Sequence, residues 1–161
     1  MISRKSAGKL IMSFAAVYAT AAIGSIASIS AKEFYSELAR PSWAPPGWLF
    51  GPVWTVLFTM MGISLWLVWQ QARSGERRLE LGVFCAQLTI NAIWSWLFFQ
   101  WKLGGWAFAD ILLLIVLVLF AIRFFWIRSK LAACLLIPYL AWISFAAALN
   151  LALWQANPQS L

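Results

Sequence analysis

The sequence predicts an all-α protein, an integral membrane bundle of five transmembrane helices forming one domain over residues 1–161. Two observations carry this. Hydrophobic residues make up 63% of the chain and charged residues only 11%, less than half of the roughly one quarter that a soluble domain needs. Apolar runs of about twenty residues also recur, the length that crosses roughly 30 Å of hydrocarbon at about 1.5 Å of rise per helical residue. Backbone polar groups must be paired within the segment when no water is present, so each run is a helix.

The five spans fall at about 10–29, 48–69, 79–101, 106–127 and 131–154. Arg4, Lys5 and Lys9 precede the first, an arrangement shared with secretory leaders. Its apolar run is longer than a usual leader core. The small residues of "SIASIS" still offer a cleavage site, so removal of this segment stands as the alternative.

Orientation follows from the cations. Nine of them lie on one side: Arg4, Lys5 and Lys9, then Arg73, Arg77 and Arg78, then Arg123, Arg128 and Lys130. Lys32, Arg40 and Lys102 are the three on the other. The positive-inside rule then puts the N-terminus in the cytoplasm and the C-terminus outside. A net charge of +7 would suggest nucleic acid in a soluble chain. Here the cations flank apolar runs, where they set orientation and meet anionic membrane lipid.

Between the first two spans lies a stiff loop, residues 30–47, holding Phe34, Tyr35, Trp43, Pro41, Pro45 and Pro46. Proline fixes φ and pushes its predecessor to extended shapes. A long ordered loop across a bundle is a candidate lid. The chain shows no internal repeat, low-complexity tract or second domain.

Facing comes from helical spacing. Ala16, Thr20, Gly24 and Ser28 recur every fourth residue in the first span, a register of small residues that lets another helix approach. The third span puts Gln87, Asn91, Trp94 and Phe98 on one face. Amides are costly in lipid, so that face turns inward. The fifth puts Pro138, Trp142, Ala146 and Asn150 on one stripe, with Pro138 unable to donate to Cys134 and expected to bend the helix. Asp110 opens the fourth span. It reads either as a functional membrane carboxylate or as a charge stabilised by the helix N-terminus.

The chain has no histidine, which excludes imidazole metal ligation, histidine-ligated haem and histidine as catalytic base. Cys85 and Cys134 are far apart, without metal-ligand spacing, and read as small buried hydrophobes. No metal site and no resident cofactor are expected.

Of the twelve tryptophans, eleven can be placed by depth and facing. Trp43, Trp48, Trp69, Trp101, Trp106, Trp126 and Trp154 sit in the first loop or at span ends, where an aromatic belt accounts for them. Trp54 and Trp94 lie about 10 Å below the surface and Trp142 about 18 Å, by helical rise. Trp96 faces another way and reads as packing. The three deep indoles, Asn91 and Asn150 share the half of the membrane that the lid covers. They either line a cavity for a flat ligand or form a solid aromatic core.

The segments "RPSWAPPGWLFGPVWTVLFTMMG", "NAIWSWLFFQWK" and "PYLAWISFAAALN" resemble, in this order, the TspO/MBR family of tryptophan-rich sensory proteins, relatives of the mitochondrial translocator protein. The resemblance runs from Tyr35 to Asn150. It implies a five-helix bundle, commonly a homodimer, with a cavity closed by the first loop. Family ligands are flat and hydrophobic: porphyrins such as protoporphyrin IX, sterols and isoquinoline carboxamides. The resemblance places ligand-binding positions at Tyr35, Pro45, Trp54, Phe58, Asn91, Trp94, Trp142 and Ala146, with Asn150 beside them from its facing. Trp54 and Trp142 match the two tryptophans linked to light-dependent porphyrin degradation. The cholesterol motif of animal members is missing from "LNLALWQANPQSL", so sterol is the weaker expectation and a tetrapyrrole the stronger.

Three functions follow in order: a porphyrin-binding sensor or receptor in tetrapyrrole handling and stress response, a photo-oxidative porphyrin-degrading enzyme, and a porphyrin or sterol transporter. The second lacks any nucleophile–base pair, metal cluster or nucleotide motif, so its only catalytic candidates are Trp54 and Trp142. The third lacks the intramembrane charges and broken helices of coupled carriers, Asp110 and Pro138 apart.

Overall fold

A computed structural model describes residues 4–71 and 78–161. The long helices are α1 (Arg4–Ala27), α3 (Phe50–Gln71), α4 (Arg78–Ser95), α5 (Gly104–Arg128) and α6 (Lys130–Ala156), with a short α2 (Ala31–Glu37) between the first two. All five long helices are apolar enough to cross a membrane. Each packs on two others, closing a ring in the order α1, α3, α6, α5, α4. Of the basic residues counted above, Arg73 and Arg77 lie outside the described residues, as do the side chains of Lys5 and Arg78.

The ring is solid in one half and hollow in the other. Away from α2, Met61 and Val68 of α3, Phe84 of α4, Phe125 of α5 and Leu136 of α6 are fully buried. Phe84 and Phe125 stack at 5.5 Å. Lipid tails are as apolar as these side chains, so the packing gain is dispersion and hydrogen bonding rather than escape from water. Ser64 supplies one such bond, donating to the Ala132 carbonyl at 2.7 Å. At the same end Arg128 pairs with Glu80 at 3.1 Å.

The helix joints explain where the sequence-predicted boundaries move. A single residue, Ser129, separates α5 from α6. It ends one helix by donating its backbone N–H to Phe125 and caps the next by accepting from Ala132 through Oγ. Beyond α4 the chain widens into a π-helical turn, Trp96–Gln100, and then passes Lys102 in the left-handed region at φ 55°. Helix α5 therefore starts at Gly104, two residues before the predicted Trp106, and Asp110 sits in its second turn. One Asp110 oxygen is buried without a partner among the described residues. Pro138 is exposed and α6 runs on through it.

Loop 30–47 is more regular than its prolines suggest. Its first part is α2, whose Phe34 and Tyr35 are buried, and its end is a 3₁₀ turn, Gly47–Leu49. The buried rings hold α2 against the π-helical turn, the start of α5 and the end of α6, where Phe34, Tyr35, Leu38, Phe98, Ala107 and Leu153 form a second core.

Candidate functional site

The hollow half contains a cavity of about 570 Å³ bounded by α1, α3, α4 and α6, with α2 across its end. This is a ligand-sized volume. Helix α3 supplies Phe50, Trp54 and Phe58, α4 supplies Asn91 and Trp94, the π-helical turn after it supplies Phe99, and α6 supplies Trp142 and Ala146. The spacings of four (54 and 58, 142 and 146) and three (91 and 94) put each set on one helix face.

The walls are fixed by neighbours behind them. Trp54 leans on Phe58, at 5.4 Å, and edge-on against Tyr139, at 6.1 Å. Trp94 stacks on Phe98 at 5.2 Å. Its Nε1–H points away from the cavity and donates to Asn150 Oδ1 at 3.1 Å, while Asn150 Nδ2 donates to the Gly104 carbonyl at 3.0 Å. Asn91 donates to the Tyr139 hydroxyl at 3.0 Å, and that hydroxyl donates to Gln87 Oε1 at 3.0 Å. The inward face expected on α4 is therefore real, and its amides pair as buried polar groups must. Trp142 differs. Its ring is held by Phe50 and Phe145, but its indole N–H has no partner among the described residues.

The lid is tied at several points. Tyr35 OH donates to the Pro45 carbonyl at 2.9 Å and the ring packs edge-on against Phe50. Burial pushes the Tyr35 hydroxyl up from its ordinary value, with the nearby Arg40 charge opposing, so the proton it donates is retained. Trp43 packs on Phe145 and Lys102 lies over the Phe34 ring. Asn157, beyond α6, bonds both backbone polar groups of Ala39.

Of the nine sequence-predicted ligand positions, the structure brings Tyr35, Trp54, Phe58, Asn91, Trp94, Trp142 and Ala146 onto one wall surface. Pro45 and Asn150 stand behind it, as acceptor for Tyr35 and as tie between α4 and α5. Sequence reasoning missed the α1 contribution. Thr20, Gly24 and Ser28, read there as helix packing, also border the cavity, and Gly24 lies close to Ser95 Oγ of α4. Small residues at a register of four signal either use. It also missed Lys32, the single charged residue at the wall among the described residues, and Tyr139, whose fully apolar neighbours hid its polar role.

Comparison with known proteins places this arrangement. The TspO/MBR family model matches residues 12–155. The tryptophan-rich protein TspO of Archaeoglobus fulgidus is 40% identical over 152 residues, 92% of this chain and 97% of that protein. The translocator proteins of Ovis aries and Homo sapiens are 42% and 40% identical over 127 residues, 77% of this chain and 75% of theirs. The chain belongs to the TspO/MBR family and is a multi-pass membrane protein with five long apolar helices.

Proposed function

We propose that the protein is a membrane receptor or sensor that binds a flat, acidic, apolar ligand, a porphyrin such as protoporphyrin IX, between its indoles. The observation that carries this is an aromatic-walled cavity at which one buried donor, the Trp142 N–H, has no partner among the described residues. Faces of Trp54 and Trp94 offer stacking to a planar macrocycle, each aromatic pair contributing about 0.5–1.5 kcal/mol beyond burial. The Trp142 N–H offers a donor to an acceptor on the ligand. Lys32, exposed at the lid end, offers a counter-charge to carboxylates. With no histidine in the chain, a metal-free porphyrin suits the site better than an axially ligated haem. The charge asymmetry supports a cytoplasmic N-terminus, and family resemblance supports a homodimer.

A second reading is light-dependent degradation of that porphyrin. It is favoured by the presence of both Trp54 and Trp142 at the same cavity wall. Chemistry would then come from the excited ligand and oxygen, with the indoles as electron donors.

Titration of the purified protein with protoporphyrin IX tests the first reading. Tryptophan fluorescence is expected to fall saturably, and unchanged fluorescence would refute binding. Illumination of the complex separates the second. A discrete pigment formed by wild type and not by Trp54→Phe supports an enzyme, and bleaching no faster than in detergent alone removes it.

A further inference from the structure

A ligand of this class dissolves in the bilayer, and the cavity wall has an edge that faces the bilayer directly. Tyr18, Ala22 and Ser25 of α1 and Gly51 and Thr55 of α3 border the cavity, and all five are exposed. They lie within the membrane-crossing segments Ser6–Ala27 and Gly47–Gln71, so whatever part of that surface does not face the cavity meets lipid. Steps of four and three on α1, and of four on α3, line each set along one helix edge. The two edges flank a slit.

The slit is sealed on the side away from the lid. There Tyr18 OH and Thr59 Oγ1 hydrogen-bond at 2.9 Å, Gly62 admits the Phe14 ring, Trp66 Nε1 donates to the Ser6 carbonyl at 3.2 Å, and Lys9 donates to the Trp69 carbonyl at 2.8 Å. Lidward of Tyr18, no hydrogen bond joins α1 to α3 among the described residues. The hydroxyls at hand turn back on their own helices: Ser25 donates to Ala21, Ser28 to Gly24 and Thr55 to Gly51. Their polarity is thus satisfied without bridging the gap.

Gly51 adds an independent sign. It sits inside α3, where glycine costs about 1 kcal/mol against alanine. A Cβ there would meet nothing within 4 Å, so packing does not demand the glycine. What its missing side chain leaves is clear space at the slit. The lid, by contrast, is held by Asn157, by the Tyr35–Pro45 bond and by the Trp43–Phe145 contact.

We infer that ligand enters and leaves the cavity sideways, through the slit between α1 and α3, from the membrane leaflet on the lid side and with the lid shut. This rests on the cavity being the ligand site. The test uses the full chain in phosphatidylcholine vesicles, with protoporphyrin IX as probe and stopped-flow tryptophan quenching as readout. Dissociation is followed into excess empty vesicles. Gly51→Phe and Ala22→Phe, singly and together, are expected to slow association and dissociation alike by about tenfold, with little change in their ratio, as gating residues do. Gly82→Ala, at an open position on α4 away from cavity and slit, is the control, with rates like wild type. Asn157→Ala is expected to leave both rates within about twofold. Faster exchange in Asn157→Ala with unchanged rates in the phenylalanine variants would overturn the slit in favour of the lid. So would weaker binding caused by faster dissociation in those variants, which would make the positions ligand contacts. Absence of quenching in wild type would instead refute the binding reading itself, and the route with it.

Discussion

The side-chain amide of Asn157 grips both polar groups of the Ala39 backbone: Ala39 N–H donates to Oδ1 at 2.8 Å, and Nδ2 donates to the Ala39 carbonyl at 3.0 Å. Nδ2 also reaches the Leu153 carbonyl at 2.8 Å, so the lid is fastened to the last turn of α6. Asn157→Ala removes both lid bonds. At a net contribution of about 1 kcal/mol for each of the two bonds, amide exchange at Ala39 is expected to rise by about thirtyfold. Hydrogen exchange read by mass spectrometry checks this, and protection unchanged from wild type would show that the lid is held by its rings alone.

Asn150 couples three helices through one amide, accepting from Trp94 on α4 and donating to Gly104 at the start of α5. Asn150→Leu leaves a buried indole N–H and a carbonyl unpaired. The expected loss is about 1–2 kcal/mol, in the range of interhelical polar bonds in membranes. In a Trp94→Phe background the same substitution should cost less, because one orphan is already gone. Thermal unfolding of the four proteins in detergent gives the coupling, and strict additivity would show that the Trp94 bond contributes nothing.

These two asparagines mark what the sequence could and could not say. Asn150 and Asn91 announced themselves because an amide in an apolar helix must face inward. Hydropathy found all five spans for the same physical reason: lipid leaves the backbone no other option. Depth along the helix separated Trp54, Trp94 and Trp142 from the belt tryptophans. Asn157, in a polar tail, carried no such signal, because its partner lies 118 residues away in the chain. Helix α2 was hidden by the prolines that follow it, and the role of Tyr139 by its apolar neighbours. Which indole N–H was paired could not be read at all, since Trp94 and Trp142 differ only in what the next helix presents.

Tyr139 is fully buried and joins Asn91 to Gln87 through its hydroxyl. Tyr139→Phe keeps the ring against Trp54 and deletes the bridge. Two buried amides then lose a partner, at a cost of about 1–3 kcal/mol each before relaxation. A lower unfolding midpoint is expected, together with weaker porphyrin quenching, since Asn91 borders the cavity. Equal midpoints for wild type and variant would mean that the amides find each other directly.

Two glycines should respond oppositely to alanine. Gly51 faces open space, and Gly51→Ala gains helix propensity of up to about 1 kcal/mol. At Gly104 a Cβ would come within 2.9 Å of the Leu161 Cβ and 3.0 Å of the Trp154 Cβ. Those atoms sit close to backbone and yield poorly, so Gly104→Ala is expected to lose about 1–3 kcal/mol by overpacking. Melting curves in one detergent decide the pair, and a stabilised Gly104→Ala would show that the C-terminal segment is not packed against α5.

Trp142 is the cavity indole whose buried N–H has no partner among the described residues, and two substitutions separate its ring from its N–H. Trp142→Phe keeps an aromatic face between Phe50 and Phe145 but has no donor. One lost neutral hydrogen bond of about 1 kcal/mol predicts protoporphyrin IX affinity weakened by about fivefold. Trp142→Ala also removes the stacking surface and should weaken it by at least a further tenfold. The wild-type N–H pairs with nothing among the described residues, so neither loss comes from a bond seen within the protein. Trp94→Phe provides the contrast: it frees Asn150 Oδ1 and should lower the unfolding midpoint more than it changes binding. Fluorescence titrations of the three variants, set beside their melting curves, test this division. An affinity for Trp142→Phe equal to wild type would mean that the ligand meets the ring face only, with its acceptor groups turned to Lys32 or to water.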